Sequence, residues 1–165
     1  MKRFLLFGAL VLAVLPLAGA DTHEATADKA DPMMGIHRPK ETKWTDAPPS
    51  IPKGAKVAIL EGNPAQDGLF TMRIWLPDGY TVPPHFHSQI EHVTVVSGTF
   101  NLGFGETLDK TKGEKLPAGS FVFMKPGMRH YAWANGTTVI QVHGMGPWTI
   151  TYVNAADDPR NVAKS

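Results

Sequence analysis

The sequence contains no cysteine. Disulfides and thiol chemistry are therefore excluded, and stability must come from packing and from any bound metal. Neither sign of charge is in excess, with 16 Lys and Arg against 15 Asp and Glu. Such a balance gives no electrostatic attraction to nucleic acid or to an anionic membrane surface. Also missing are a helical period of useful length, a glycine-rich phosphate loop, a nucleophile elbow and a Ser-His-Asp signature. Ser88, Ser97 and Ser120 stand in no such context. Beyond residue 20 no apolar run is long enough to span a bilayer.

What is present begins with "MKRFLLFGALVLAVLPLAGA". Lys2 and Arg3 precede an apolar stretch that ends in Ala18-Gly19-Ala20, the pattern of a secretory signal peptide cleaved after Ala20. The stretch is short for a membrane anchor and Pro16 interrupts it. The expectation is a periplasmic or secreted protein, with no membrane contact once residues 1–20 are removed. Residues 21–50 are polar and carry no period, which reads as an arm or linker. His23, His37, Met33 and Met34 are too irregularly spaced to suggest a copper site.

From Ile51 the pattern changes. Runs such as "KVAIL", "LFTMRIWL", "HVTVV", "FVFM" and "WTITYV" alternate with Gly, Pro, Asn and Asp clusters. This rhythm predicts an all-β sandwich or small barrel over 51–153, followed by a polar tail over 154–165 in which "AADD" suits a short helical turn. Asn135-Gly136 reads as a two-residue hairpin turn, and Ser97-Gly98 as a weaker one. Of the aromatic residues, Trp75, Phe100, Phe104, Phe121, Phe123, Tyr131, Trp133 and Trp148 are expected mostly in the core or a subunit contact, with one or two at a pocket mouth.

The stretch "GYTVPPHFHSQIEHVTVVSG" carries the chemistry. On a strand, His85 and His87 share a face and Phe86 points away. Glu91, Val93 and Val95 have the same parity if the strand continues unbroken. Ionisable groups on an inward face are costly unless paired or bound to a cation, so two imidazoles and a carboxylate there suit a divalent metal. Two histidines on a strand are also compatible with ordinary hydrogen-bonded packing. Further on, "GSFVFMKPGMRH" brings His130 into a strand after a Pro-Gly turn, the natural third imidazole.

These two segments resemble the motifs of the cupins, small double-stranded β-helix, or jelly-roll, barrels. The first motif is matched by Gly79, His85, His87, Glu91 and Gly98, and the second by Gly119, Gly127 and His130. There are two departures. Lys125 stands at a proline position, with Pro126 one residue later, and Ala134 at an asparagine position, with Asn135 after it. The resemblance covers about Ile51 to Val153. It implies a jelly-roll cupin barrel, one divalent transition metal held by His85, His87, Glu91 and His130, and dimerisation. Three imidazoles and a carboxylate suit Fe, Mn, Zn, Ni or Co. Each ring should donate its second N–H to a partner such as a backbone carbonyl.

Several further residues are candidates. Glu91 could loosen to act as a catalytic base. Gln89, on the side of Glu91, is a candidate substrate contact. Arg73 and His143 would contact substrate if they face inward, and are surface groups if Arg73 points out and Ile140 and Val142 take the interior instead. His92 should face outward. The leading expectation is an exported metal-binding cupin with a small-molecule pocket, acting as a dioxygenase-like enzyme, an isomerase or a lyase. A non-catalytic small-molecule or metal binder is the alternative, and a metal-free assembly domain a third. An inward Arg73 or His143 would favour turnover. A closed apolar pocket would favour a structural metal. The expected partners are a small molecule and a second copy of the chain.

Overall fold

A computed structural model describes residues 34–162. The expected signal peptide and residues 21–33 of the arm lie outside the described residues. Residues 34–50 contain a 3-10 turn at Pro39–Glu41 and the short strand β1 (Thr45–Asp46), which pairs with β2 (Lys56–Glu61). There follow β3 (Gly68–Leu76), β4 (Thr81–His87), β5 (Glu91–Phe104), β6 (Glu114–Pro117), β7 (Phe121–Met124), β8 (His130–Gly146) and β9 (Ile150–Tyr152). A 3-10 turn at Ala155–Asp157 and the one-turn helix α1 (Pro159–Val162) end the described chain.

All strand pairs are antiparallel, and β5 and β8 organise them. The first part of β8 pairs with β4 and with the end of β5, as in His85↔His130 and Phe104↔His130. Its second part pairs with β3 and with the start of β5, as in Thr71↔His143 and His92↔His143. Two layers therefore share two long strands, one completed by β1, β2, β3 and β7, the other by β4, β6 and β9. The result is a curled antiparallel half-barrel.

Both hairpin expectations fail here, for one reason. β5 runs through Ser97-Gly98 and β8 through Asn135-Gly136 without reversing. The register between them shifts at Val95/Ser97 and again at Ser97/Thr99, so paired bulges bend both strands from one layer into the other. Gly98 has φ +79°, and a Cβ there would lie 2.4 Å from the Thr137 carbonyl oxygen, so the bend requires glycine. Asn135 does not adopt positive φ, as a type I′ turn would demand. The Gly136 amide instead donates to Asp78 Oδ1 at 2.6 Å.

Alternation fixes the core. On β3, Phe70, Met72, Ile74 and Leu76 are buried, while Thr71, Arg73 and Trp75 lie on the other face. Val93 and Val95 of β5 and Ile140 and Val142 of β8 meet them, each side chain contributing about 1.5–3 kcal/mol by its burial. Phe100, Tyr131 and Trp133 are buried, but Phe104, Phe121 and Phe123 are exposed. On β7 the parity that turns Val122 and Met124 toward the core necessarily turns both phenylalanines out.

Candidate metal centre

The four expected ligands come from three strand ends. His85 and His87 close β4, Glu91 opens β5 and His130 opens β8. The segment Ser88–Ile90 separates β4 from β5, so the run is two strands rather than one continuous strand. All four side chains nonetheless reach the interior and are buried.

Local sequence explains each placement. Pro83 and Pro84 have no amide hydrogen to donate, and the β4–β8 register shifts between Val82 and His85. The bulge frees the Pro83 carbonyl to accept from His85 Nδ1 at 2.7 Å. His87 Nδ1 donates to the Thr149 carbonyl at 2.9 Å, and His130 Nδ1 to the Met128 carbonyl at 2.9 Å. The Lys125–Met128 turn that positions His130 is closed by Met128 N–H to the Lys125 carbonyl at 3.1 Å. Gly127 has φ +77°, as the third position of a type II turn requires, with Pro126 at the second. The departure at Lys125 and Pro126 is thus a working turn. The Gly127 amide docks it to the His87 carbonyl at 3.0 Å.

A carbonyl can only accept, so each Nδ1 carries a proton, and it is Nε2 that holds the lone pair whenever the ring is neutral. One ligating atom from each of His85, His87 and His130 can be chosen so that all lie within 4.8 Å of one another. Their ring centroids are 4.2 to 5.3 Å apart. Glu91 Oε2 is 3.4 Å from both His87 Nε2 and His130 Nε2. That spacing matches neighbouring ligands around an ion at about 2.1 Å in tetrahedral array. His87 Nε2 and Glu91 Oε2 are buried without a hydrogen-bond partner, a costly arrangement for a protein that never binds a cation there. The residues present therefore fit a divalent ion, and the His85, His87 and His130 cluster could hold one.

Electrostatics prepare the same state. Burial, reinforced by His130 and His87, lowers the His85 imidazole to about 3. Burial also lowers His87, against the attraction of Glu91. Burial alone would raise the Glu91 carboxyl, but the surrounding imidazoles, His87 foremost, outweigh it and hold it at about 2. At neutral pH His85 is neutral and Glu91 anionic, the forms that bind metals.

A cavity of about 60 Å³ adjoins these groups. Its lining is apolar apart from the four, Tyr80 and Trp148. The Tyr80 hydroxyl is already engaged, donating to the Pro52 carbonyl. Trp148 stacks on the His87 ring, with centroids 4.0 Å apart and planes at 12°. Sequence reasoning gave Trp148 no specific role and Ser88 none. Yet Ser88 Oγ accepts from the Thr149 amide at 3.0 Å and donates to the Pro147 carbonyl at 3.2 Å, fixing the segment whose carbonyl orients His87. Nothing in a lone serine or tryptophan could have signalled these long-range contacts.

The three candidate substrate contacts are not in the cavity lining. Arg73 and His143 sit on the outer face, because Ile74, Ile140 and Val142 occupy the interior. Arg73 Nε donates to Gln141 Oε1 at 3.3 Å. His143 stacks on His92 with centroids 4.7 Å apart, which places His92 outward as expected, and its imidazole is lowered by partial burial and then by His92. Gln89 is half-buried in the segment between β4 and β5.

Comparison with known proteins agrees on the fold. The family described as Domain of unknown function (DUF4437) matches residues 19–151. No curated protein matches the sequence. Among solved structures, the polyketide cyclase RemF from Streptomyces resistomycificus is 20% identical, covers 81% of this chain and 94% of its own, and superimposes with a TM-score of 0.62. A candidate acetylacetone dioxygenase from Methylibium petroleiphilum PM1 is 16% identical over 79% of this chain and 88% of its own, with a TM-score of 0.58. An RmlC-like cupin from Shewanella frigidimarina is 20% identical over 67% and 88%, with a TM-score of 0.51. At these identities the likeness shows the cupin-like fold and nothing finer.

Proposed function

We propose that this chain, which belongs to the family of the domain of unknown function DUF4437, is an exported metal-binding cupin that takes a small molecule beside its ion. One observation carries the reading: three buried imidazoles, each with its Nδ1 bonded to a backbone carbonyl, cluster together, and the Nε2 atoms of His87 and His130 lie 3.4 Å from the buried Glu91 carboxylate. In this proposal His85, His87, Glu91 and His130 are the ligands, and the ion is a divalent Fe, Mn, Zn, Ni or Co. Such an ion supplies Lewis acidity or, if iron, redox chemistry toward a chelated substrate.

The chain's own contribution is binding, orientation and exclusion of water. Glu91 is the only carboxylate in the cavity lining, beside the three imidazoles. In this reading any turnover would be metal-centred, dioxygenase-like first among oxygenase, isomerase and lyase chemistry, with Glu91 as the base. A second reading, capture without turnover, is favoured by the outward Arg73 and His143, which leave no further acid or base at the site. Dioxygen uptake by the iron-loaded protein in the presence of small diketones separates the two. Uptake by the wild type supports turnover, and chelator binding without uptake supports capture.

Export and self-association belong to the same proposal. The leader over residues 1–20 supports export, and its test is the N-terminal residue of protein recovered from the cell envelope or medium, expected to be Asp21. Homodimerisation is proposed through the outer sheet face, where Phe121 and Phe123 stand exposed beside the His92–His143 stack. Sedimentation of the wild type against Phe121→Lys tests it, and a monomeric wild type rejects it.

A further inference from the structure

We infer that the cavity selects a compact oxygen chelator bearing one negative charge and apolar flanks, such as a deprotonated β-dicarbonyl or hydroxyketone, over a dicarboxylate, phosphate or sugar. The inference rests on the proposed metal site and deepens it.

Charge is the first argument. A divalent ion held by three neutral imidazoles and one carboxylate leaves the site with a single net positive charge. A monoanionic chelate brings the sum to zero. A dianion leaves one buried negative charge that needs a partner, and none is there: no Arg or Lys lines the cavity among the described residues. Arg73, a cation from a neighbouring strand, is turned to the outer face and bonded to Gln141. An unpaired buried charge is heavily penalised.

Hydrogen bonding is the second. The lining has no Ser, Thr, Asn or Gln. Asn101 is buried nearby in sequence to Phe100 and Leu102, but its amide donates to the Trp133 carbonyl at 3.1 Å and it does not line the cavity. Tyr80 is committed to Pro52. The buried Trp148 Nε1–H, which has no partner, is the one other donor among the lining side chains, so a sugar or phosphate would lose its water shell with little to replace it. The walls offered instead are Ile74, Leu76, Phe100, Leu102, Met124 and Ile140, which suit methyl or ring flanks.

Size is the third. The cavity beside the four groups measures about 60 Å³, which suits a compact ligand.

Pentane-2,4-dione and malonate test the inference, because they share a carbon–oxygen chelating frame and differ in terminal methyl groups against terminal oxygens. Calorimetric titration of each into protein carrying bound Ni²⁺ gives an affinity ratio. Dividing by the same ratio for free Ni²⁺ in the same buffer removes the ion's own preference. A corrected preference for the dione of about tenfold or more is expected, the least a buried unpaired charge should impose. A corrected ratio of one or below overturns the inference while leaving the metal site standing. Failure of the protein to bind Ni²⁺ at all, measured beforehand by elemental analysis, overturns the site reading and the inference with it.

Discussion

At pH 5.5 the protein should bind a divalent ion while releasing far fewer protons than three histidines ordinarily would. An imidazole of ordinary pKa near 6.5 carries about 0.9 proton at that pH, so three would release about 2.7 on taking up a metal. His85, lowered to about 3 by burial and by its two histidine neighbours, carries essentially none. His87 is lowered as well. With His85 contributing none, the release cannot exceed two protons, at most one from each of the other two rings. Proton competition at pH 5.5 costs each ordinary imidazole about 1.4 kcal/mol of apparent affinity, tenfold, and His85 escapes that cost. Titrating Zn²⁺ calorimetrically in two buffers of different ionisation enthalpy yields the proton count directly. A release near 2.7 would refute the claim that the fold holds the site ready in its metal-binding form.

Other consequences follow from the same geometry. In the metal-free protein, His85 has a folded pKa below its unfolded one, so stability is fully present above about pH 6.5 and lost as the pH falls toward 3; the melting temperature should drop through that window, and a flat profile contradicts it. Trp148 lies against His87, and it is one of four tryptophans, so Ni²⁺ or Co²⁺ should quench up to about a quarter of the emission, an effect that Trp148→Phe removes. Gly103 faces the Tyr131 ring, where a Cβ would lie 2.2 Å from ring carbons, and Gly103→Ala should cost about 1–3 kcal/mol in denaturant unfolding. Arg73→Ala and His143→Ala should leave ion and chelator affinities within about twofold of wild type, since both side chains lie outside the cavity; a larger change would place them at the site.

The strands were legible because alternation writes itself into β-branched and aromatic runs, and β3 and β7 fall almost where "LFTMRIWL" and "FVFM" stand. The site was legible for a different reason: His85, His87 and His130 are polar groups at positions whose parity demands burial. The bends were not. Asn135-Gly136 has the chemistry of a reversal, and only the pairing of β8 with β5 shows that the glycine serves a corner instead. Orientation of Arg73 could not be decided locally either, because its neighbours Met72 and Ile74 compete for the interior and win it through contacts with β8. The carbonyls of Pro83, Met128 and Thr149 are backbone groups and leave no trace in side-chain patterns. β6 went unread because "EKLP" has one apolar strand former among four residues.

The central claim is that His85, His87, Glu91 and His130 enclose one cation. Elemental analysis of the full chain folded with Fe, Mn, Zn, Ni and Co present, alongside His87→Ala and His130→Ala variants shown to be folded, tests it most directly. The account predicts one ion per wild-type chain and loss of that ion in both variants. A wild type without metal, or variants that retain it at full occupancy, would contradict it.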